Sequence, residues 1–176
     1  MKNTIVSLIT PPLMGAIAVI RISGDDAVTI TQNIFVGKSL KPNGVSYGYI
    51  VDENKEKVDQ VLVAYFKAPH SFTGEDVIEI SCHGSMIIAN EIISLILANG
   101  ARLAQRGEFS SRAYLNNKID LVQAEAINSL INANTIESKK LALYSLQGET
   151  SSLLTPIITS LADLLSNIEV NIDYPE

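Results

Sequence analysis

The chain has 176 residues, enough for one ordinary domain or a small domain with an appendage. Its formal charge of −6 and pI near 4.9 exclude a self-sufficient nucleic-acid clamp, because phosphate binding needs clustered Lys and Arg; a nucleic-acid substrate would have to be held by a partner or by further chain. With 47% hydrophobic and 18% charged residues, a packed core is expected rather than disorder, and Cys82 as sole cysteine excludes an internal disulfide and points to a reducing compartment.

Lys2, the apolar stretch to Ile20 and the small residues Ala16 and Ala18 have the outline of a signal peptide, but Thr10, Pro11 and Pro12 interrupt it. Two strands, Thr4–Ile9 and Ala16–Ile22, account for it better, joined by a loop with Pro11, Pro12 and Gly15. No apolar run approaches the ~20 residues that a membrane span needs, so a cytosolic chain is expected. Ser23 and Asp26 form a near capping box for a helix running towards Phe35, and residues 38–44 read as loop. Strands follow at Ser46–Val51, Gln60–Phe66 and Asp76–Cys82. Ser85 is the expected N-cap of a helix from Met86 to Ala98, which Gly100 stops, and a short strand near Arg102 closes a strand–helix–strand unit. The expectation is an α+β fold with a mixed β-sheet and helices.

From Asp120 the texture becomes helical. Asp120 with Gln123 opens Leu121–Ala133, Asn134 with Glu137 repeats the device, and helix continues to about Ile172. Leu154, Ile158, Leu161, Leu165, Ile168 and Ile172 recur at spacings of four and three, a packing seam that two helices cannot cover alone. A truncated helical domain is the expectation, with boundaries at 1–118 and 119–176.

Several residues carry candidate chemistry. Gly37-Lys38-Ser39 has the tail of a phosphate loop, but Gln32 stands where the pattern requires Gly and a helix precedes it, so a surface turn is expected. In the strand from Val77 to Cys82, Glu79 shares a face with Val77 and Ser81, either solvated or aimed into a polar pocket. Arg21 lies within an apolar strand, which is costly unless it reaches water, is paired, or meets an anion. His83-Gly84-Ser85 sits where a strand meets a helix, a place where N–H groups attract anions. With His70 the only other histidine, a metal centre is not expected. Arg112 and Lys118 flank a Tyr114-Leu115-Asn116 turn and have the look of surface charges.

Together these stretches resemble the N-terminal part of the tRNA modification GTPase family called MnmE or TrmE. The resemblance rests on Thr4-Ile5-Val6 with Thr10-Pro11-Pro12, on 15–24 (GAIAVIRISG), and on Ser71-Phe72-Thr73-Gly74-Glu75-Asp76 leading to Glu79 and His83-Gly84. It continues through Gly107-Glu108-Phe109, 112–121 (RAYLNNKIDL), Gln123-Ala124-Glu125-Ala126, Leu146-Gln147-Gly148 and Asp173-Tyr174-Pro175-Glu176. Three positions depart from the family pattern: Leu13-Met14 in the first loop, Ser85 for a second Gly, and Arg106 for Pro.

The resemblance implies an N-terminal domain, similar to that of aminomethyltransferases, that dimerises and binds 5-formyltetrahydrofolate. A helical domain follows, with a GTPase domain using GTP, potassium and magnesium inserted into it. With an FAD-containing partner of the MnmG or GidA type, such proteins modify carbon 5 of the wobble uridine, position 34, of certain tRNAs. By that likeness the folate contacts are Arg21, Glu79 and Lys118, with His83, Gly84, Arg112 and Asn116 as pocket neighbours, and neither a catalytic nor a metal-binding residue is expected in this segment. Two alternatives stay open: a folate-dependent one-carbon transferase of the aminomethyl type, and a non-catalytic dimerising scaffold.

Overall fold

The computed structural model describes residues 4–173; Lys2 and the closing 174–176 lie outside them. The chain divides into two compact units between Lys118 and Ile119.

The first unit is built on a seven-stranded sheet. Its strands are β1 (Ile5–Leu8), β2 (Ile17–Ser23), β3 (Phe35–Gly37), β4 (Gly44–Val51), β5 (Lys57–Phe66), β6 (Val77–His83) and β7 (Arg102–Leu103). In space they run β3-β4-β5-β6-β2-β1-β7. Every pairing is antiparallel except β1 with β7, so the sheet is mixed and the fold is α+β. β7 reaches the far edge through the helix α2 (Met86–Ala98), whose length agrees with the sequence reading to the residue. Gly100, at φ 104°, ends it in the left-handed conformation that glycine adopts without penalty.

The pleat sends alternate residues to opposite sides. Ile20 and Ile22 of β2, Ile78 and Ile80 of β6, and Val61 and Val63 of β5 face a core closed by Ile30 and Ile34 of the helix α1 (Ala27–Ile34) and by Ile92 and Ile96 of α2. The expected cap of α1 is not formed. Asp26 holds the N-cap position without a side-chain bond, and the Ser23 hydroxyl is buried in β2 against Thr73 and Glu75. Helix α1 runs to Ile34, as far as expected, and Phe35 starts the short β3, a strand the sequence reading did not include, before the expected loop at 38–44.

A further helix, α3 (Glu108–Leu115), replaces the expected turn at Tyr114-Leu115-Asn116. Gly107, at φ 75°, holds its N-cap position.

The second unit holds α4 (Leu121–Ile131), α5 (Ile136–Leu146) and α6 (Glu149–Asp173). The capping box of α4 forms as expected between Asp120 and Gln123. That of α5 lies one residue beyond the expected Asn134: Thr135 caps and Ser138 answers, while Glu137 falls in the first turn, where a carboxylate favours the helix dipole. Gly148, at φ 86°, separates α5 from α6, so the long stretch is two helices. By length and composition α6 is apolar enough to cross a membrane, with mean hydropathy 1.3 over an 18-residue window, which corrects the expectation that no segment is. Its leucines and isoleucines nonetheless form one stripe, with Thr159, Asp163, Ser166 and Asn167 turned elsewhere, the pattern of a packing helix. No residue of α6 is buried.

Candidate functional site

The register of β2 against β6 sets Arg21 opposite Glu79 on the sheet face away from the core. The same cross-strand row contains Ser7 of β1 beside Arg21 and Ala64 of β5 beside Glu79. Small side chains thus flank the charged pair and leave room above it. Arg21 donates from Nε and Nη2 to one oxygen of Glu79, Oε1, at 2.9 and 2.7 Å. Glu79 Oε2 and Arg21 Nη1 form no bond to another described residue, and the two side chains are 24% and 20% exposed. One acceptor atom and one donor nitrogen of the pair are therefore left unused among the described residues.

Two rings complete this site. The Arg21 guanidinium carbon lies 5.2 Å from the Phe72 ring centroid and 5.5 Å from that of Phe109. Both distances are within the range of cation–π attraction, worth about 0.5–2 kcal/mol depending on exposure. Phe72 comes from the turn before β6 and Phe109 from the first turn of α3.

That turn and α3 are tied by buried charge. Glu75 Oε2 accepts from Ser23 Oγ at 2.8 Å and from Arg112 Nη1 at 2.9 Å. Arg112 Nη2 donates to Glu108 at 3.0 Å, and Glu108 also accepts a forked pair of bonds from Arg102. The Arg112 and Glu75 side chains are 9% and 6% exposed, so Arg112 is not the surface charge expected of it. The hydrogen bonds from Arg102 chiefly, then those from the Gln105 backbone and Arg112, hold the Glu108 carboxyl down at about 2 against the opposing effect of burial.

Of the residues expected to bind ligand, Arg21 and Glu79 meet directly. Lys118 touches neither: its Nζ donates to the Pro69 carbonyl at 2.9 Å, and its stem packs where a Cβ on Gly74 would lie, at 3.1 Å. The turn from residue 71 to 76 is the link, since it carries both Phe72 beside Arg21 and Gly74 beside Lys118. Asn116 binds that turn too, donating to the Thr73 carbonyl at 2.6 Å. Phe72, Phe109 and the Glu75–Arg112 bond were not foreseen as parts of a site; the aromatic residues at the head of the Ser71 and Gly107 motifs were the available signal.

His83 lies elsewhere on the same face. Its Nδ1 is 2.7 Å from Asp59 Oδ1, and its backbone N–H donates to Oδ2 at 2.8 Å. Gly84 donates to the Ala16 carbonyl, and a Cβ there would strike the Gly15 carbonyl oxygen. The backbone N–H groups of His83 and Gly84 are thus used within the fold, which removes the anion-binding reason for them. His83, Ile17, Tyr47, Leu62 and Ser81 line a shallow cleft of about 270 Å³. Cys82 beneath it is buried, and burial chiefly, with the Asp59 charge, pushes its thiol up to about 11. Gly37 pairs with Gly48 between β3 and β4, where a Cβ would meet the Tyr47 carbonyl at 2.6 Å, so it serves close strand packing.

Comparison with known proteins gives two family matches: "GTP-binding protein TrmE N-terminus" over residues 4–118 and "MnmE helical domain" over 121–176. A protein of Ligilactobacillus salivarius named tRNA modification GTPase MnmE is 47% identical over 99% of this chain and 38% of its own length. Proteins of the same name from Fervidobacterium nodosum and Mycoplasma mobile are 47% and 45% identical, over 98% and 100% of this chain and 39% and 40% of theirs. The chain therefore spans about two fifths of the length of these relatives.

Proposed function

This chain belongs to the TrmE/MnmE family as an N-terminal segment, and from that premise we propose that residues 1–118 bind 5-formyltetrahydrofolate and dimerise, and that residues 119–176 begin a helical domain. The observation that carries the ligand reading is the half-used Arg21–Glu79 pair on an open sheet face. A pterin ring offers an amino–lactam edge whose donors suit a carboxylate oxygen and whose carbonyl suits a guanidinium N–H. Glu79 Oε2 and Arg21 Nη1 supply that acceptor and donor from one cross-strand pair, flanked by the small Ser7 and Ala64. Lys118, whose ammonium bonds one carbonyl among the described residues, exchanges that contact for a ligand carboxylate or carbonyl. When bound, the folate supplies a one-carbon unit; this chain's residues hold and orient it.

The same face supports self-association. Ile17, Tyr47, Leu62 and Val45 project from it at 63, 49, 49 and 66% exposure, an apolar surface of the kind that marks contact sites. Light scattering of the chain is expected to show a dimer that the Leu62→Lys variant shifts to monomer; a wild-type monomer contradicts this part of the reading.

In the whole protein, the proposed activity is GTP hydrolysis coupled to tRNA modification at carbon 5 of wobble uridine 34. It takes GTP, potassium and magnesium in a further domain, an FAD-containing partner of the MnmG or GidA type, and tRNA as substrate, in the cytoplasm. The match of residues 121–176 to the family's helical domain favours this over an aminomethyl-type transferase.

Calorimetry with 5-formyltetrahydrofolate tests the site. Wild type is expected to bind, and Glu79→Ala to bind at least about tenfold more weakly, the loss of one charge-assisted bond. Equal binding by both, or no binding by wild type, overturns the assignment.

A further inference from the structure

Helix α3 is an unusual carrier for a ring in a binding site. It buries only Arg112 and Ala113, so apolar packing contributes little to holding it in place. The ionic chain fastens its first turns, and the Asn116 side chain ties its C-terminal end to the Thr73 carbonyl. Arg112 forks between Glu75, in the turn that bears Phe72, and Glu108, one residue before Phe109. Glu108 is fixed in turn by Arg102 of β7, ahead of the loop leading into α3. The two rings beside Arg21 thus come from two segments that, at the Phe109 end of α3, are joined through one guanidinium. We propose that Arg112 is a positioning residue of the ligand site: by bridging Glu75 and Glu108 it sets Phe109 beside Arg21, and so shapes the aromatic wall that a planar heterocyclic ligand meets. The ligand part rests on the folate reading above; the placement of Phe109 does not.

Arg112→Lys is the sharpest variant, because it keeps the charge, yet a compact ammonium lacks the planar fork that spans two carboxylates. Glu108→Gln, which keeps shape and removes one arm's charge, is the second. Full chain labelled with 4-fluorophenylalanine gives one ¹⁹F signal for each of Phe35, Phe66, Phe72 and Phe109, assigned by Phe→Leu substitution. In folded Arg112→Lys and Glu108→Gln, the Phe109 signal is expected to move towards the solvent-exposed value while Phe35 and Phe66 stay fixed. A Phe109 signal unmoved in both folded variants overturns the proposal. Titration with 5-formyltetrahydrofolate then separates positioning from general loosening. Phe109→Leu and Arg112→Lys are each expected to raise Kd by roughly three- to tenfold, the scale of one aromatic contact. The double variant is expected to lose no more than the larger single one, because both act through the same ring. Additive losses contradict the positioning role. Wild type that does not bind overturns the folate reading, and the ¹⁹F result still decides where Arg112 places the ring.

Discussion

The two faces of β2 and β6 are made by alternate residues of the same strands and differ in what they carry. On one side Ile20, Ile22, Ile78 and Ile80 are fully buried under α1 and α2. On the other, Arg21 and Glu79 bond each other and keep further hydrogen-bonding atoms unused among the described residues, at 20% and 24% exposure. Because the pleat alternates strictly, a side chain on one face can change without repacking the other. Stability and the proposed ligand chemistry are therefore separable in this sheet, although they are one residue apart in sequence.

The strongest challenge to that separation is a cut in the core. Ile80→Ala is expected to lower unfolding stability by about 2–5 kcal/mol, read by chemical denaturation, through lost burial and the cavity left behind. Ligand affinity of the fraction still folded should stay close to wild type. Below that in size comes the acid limb of the stability curve. Glu108 titrates at about 2 in the folded chain against 4.5 in the unfolded one. A depressed carboxyl stabilises above its unfolded value, and its contribution is lost as pH falls from about 4.5 towards 2. Glu108→Gln should therefore flatten stability against pH across that window; an unchanged slope would show that the ionic chain contributes nothing there. Smaller still is the effect of Glu79→Ala on stability, expected within about 1 kcal/mol for a partly exposed pair, and much less than its effect on binding. A loss as large as that of Ile80→Ala would erase the distinction between the faces. Smallest of all is the reactivity of Cys82. With its thiol pushed up to about 11, it should resist alkylation at pH 8 until the chain unfolds. Rapid labelling of folded chain would place it on the open side.

Much of the sheet was legible in the sequence because alternation is a local signal. The period from Val77 to Cys82 shows which side Glu79 takes, and Ser85 with Gly100 frames α2. Helix α3 was not legible. Its apolar residues are few, glycine opens it, and its anchor Glu75 is 37 residues away from Arg112. The misread cap at Ser23 has the same origin, since that hydroxyl bonds Thr73 and Glu75, 50 and 52 residues on. A local pattern offers Ser23 to a helix, and a distant carboxylate takes it. The candidate site divides in the same way. Arg21 and Glu79 were singled out from strand position and family resemblance, whereas the rings beside them depend on contacts that no spacing rule contains.

The most direct test of the open-face site is a map of where the ligand lands. Uniformly ¹⁵N-labelled chain titrated with 5-formyltetrahydrofolate should show amide and arginine side-chain shifts concentrated on Ser7, Arg21, Ala64 and Glu79 and on the Phe72 turn, with the buried neighbours Ile20 and Ile78 moving less. Shifts centred on residues away from that row, or none at saturating ligand, would contradict the account.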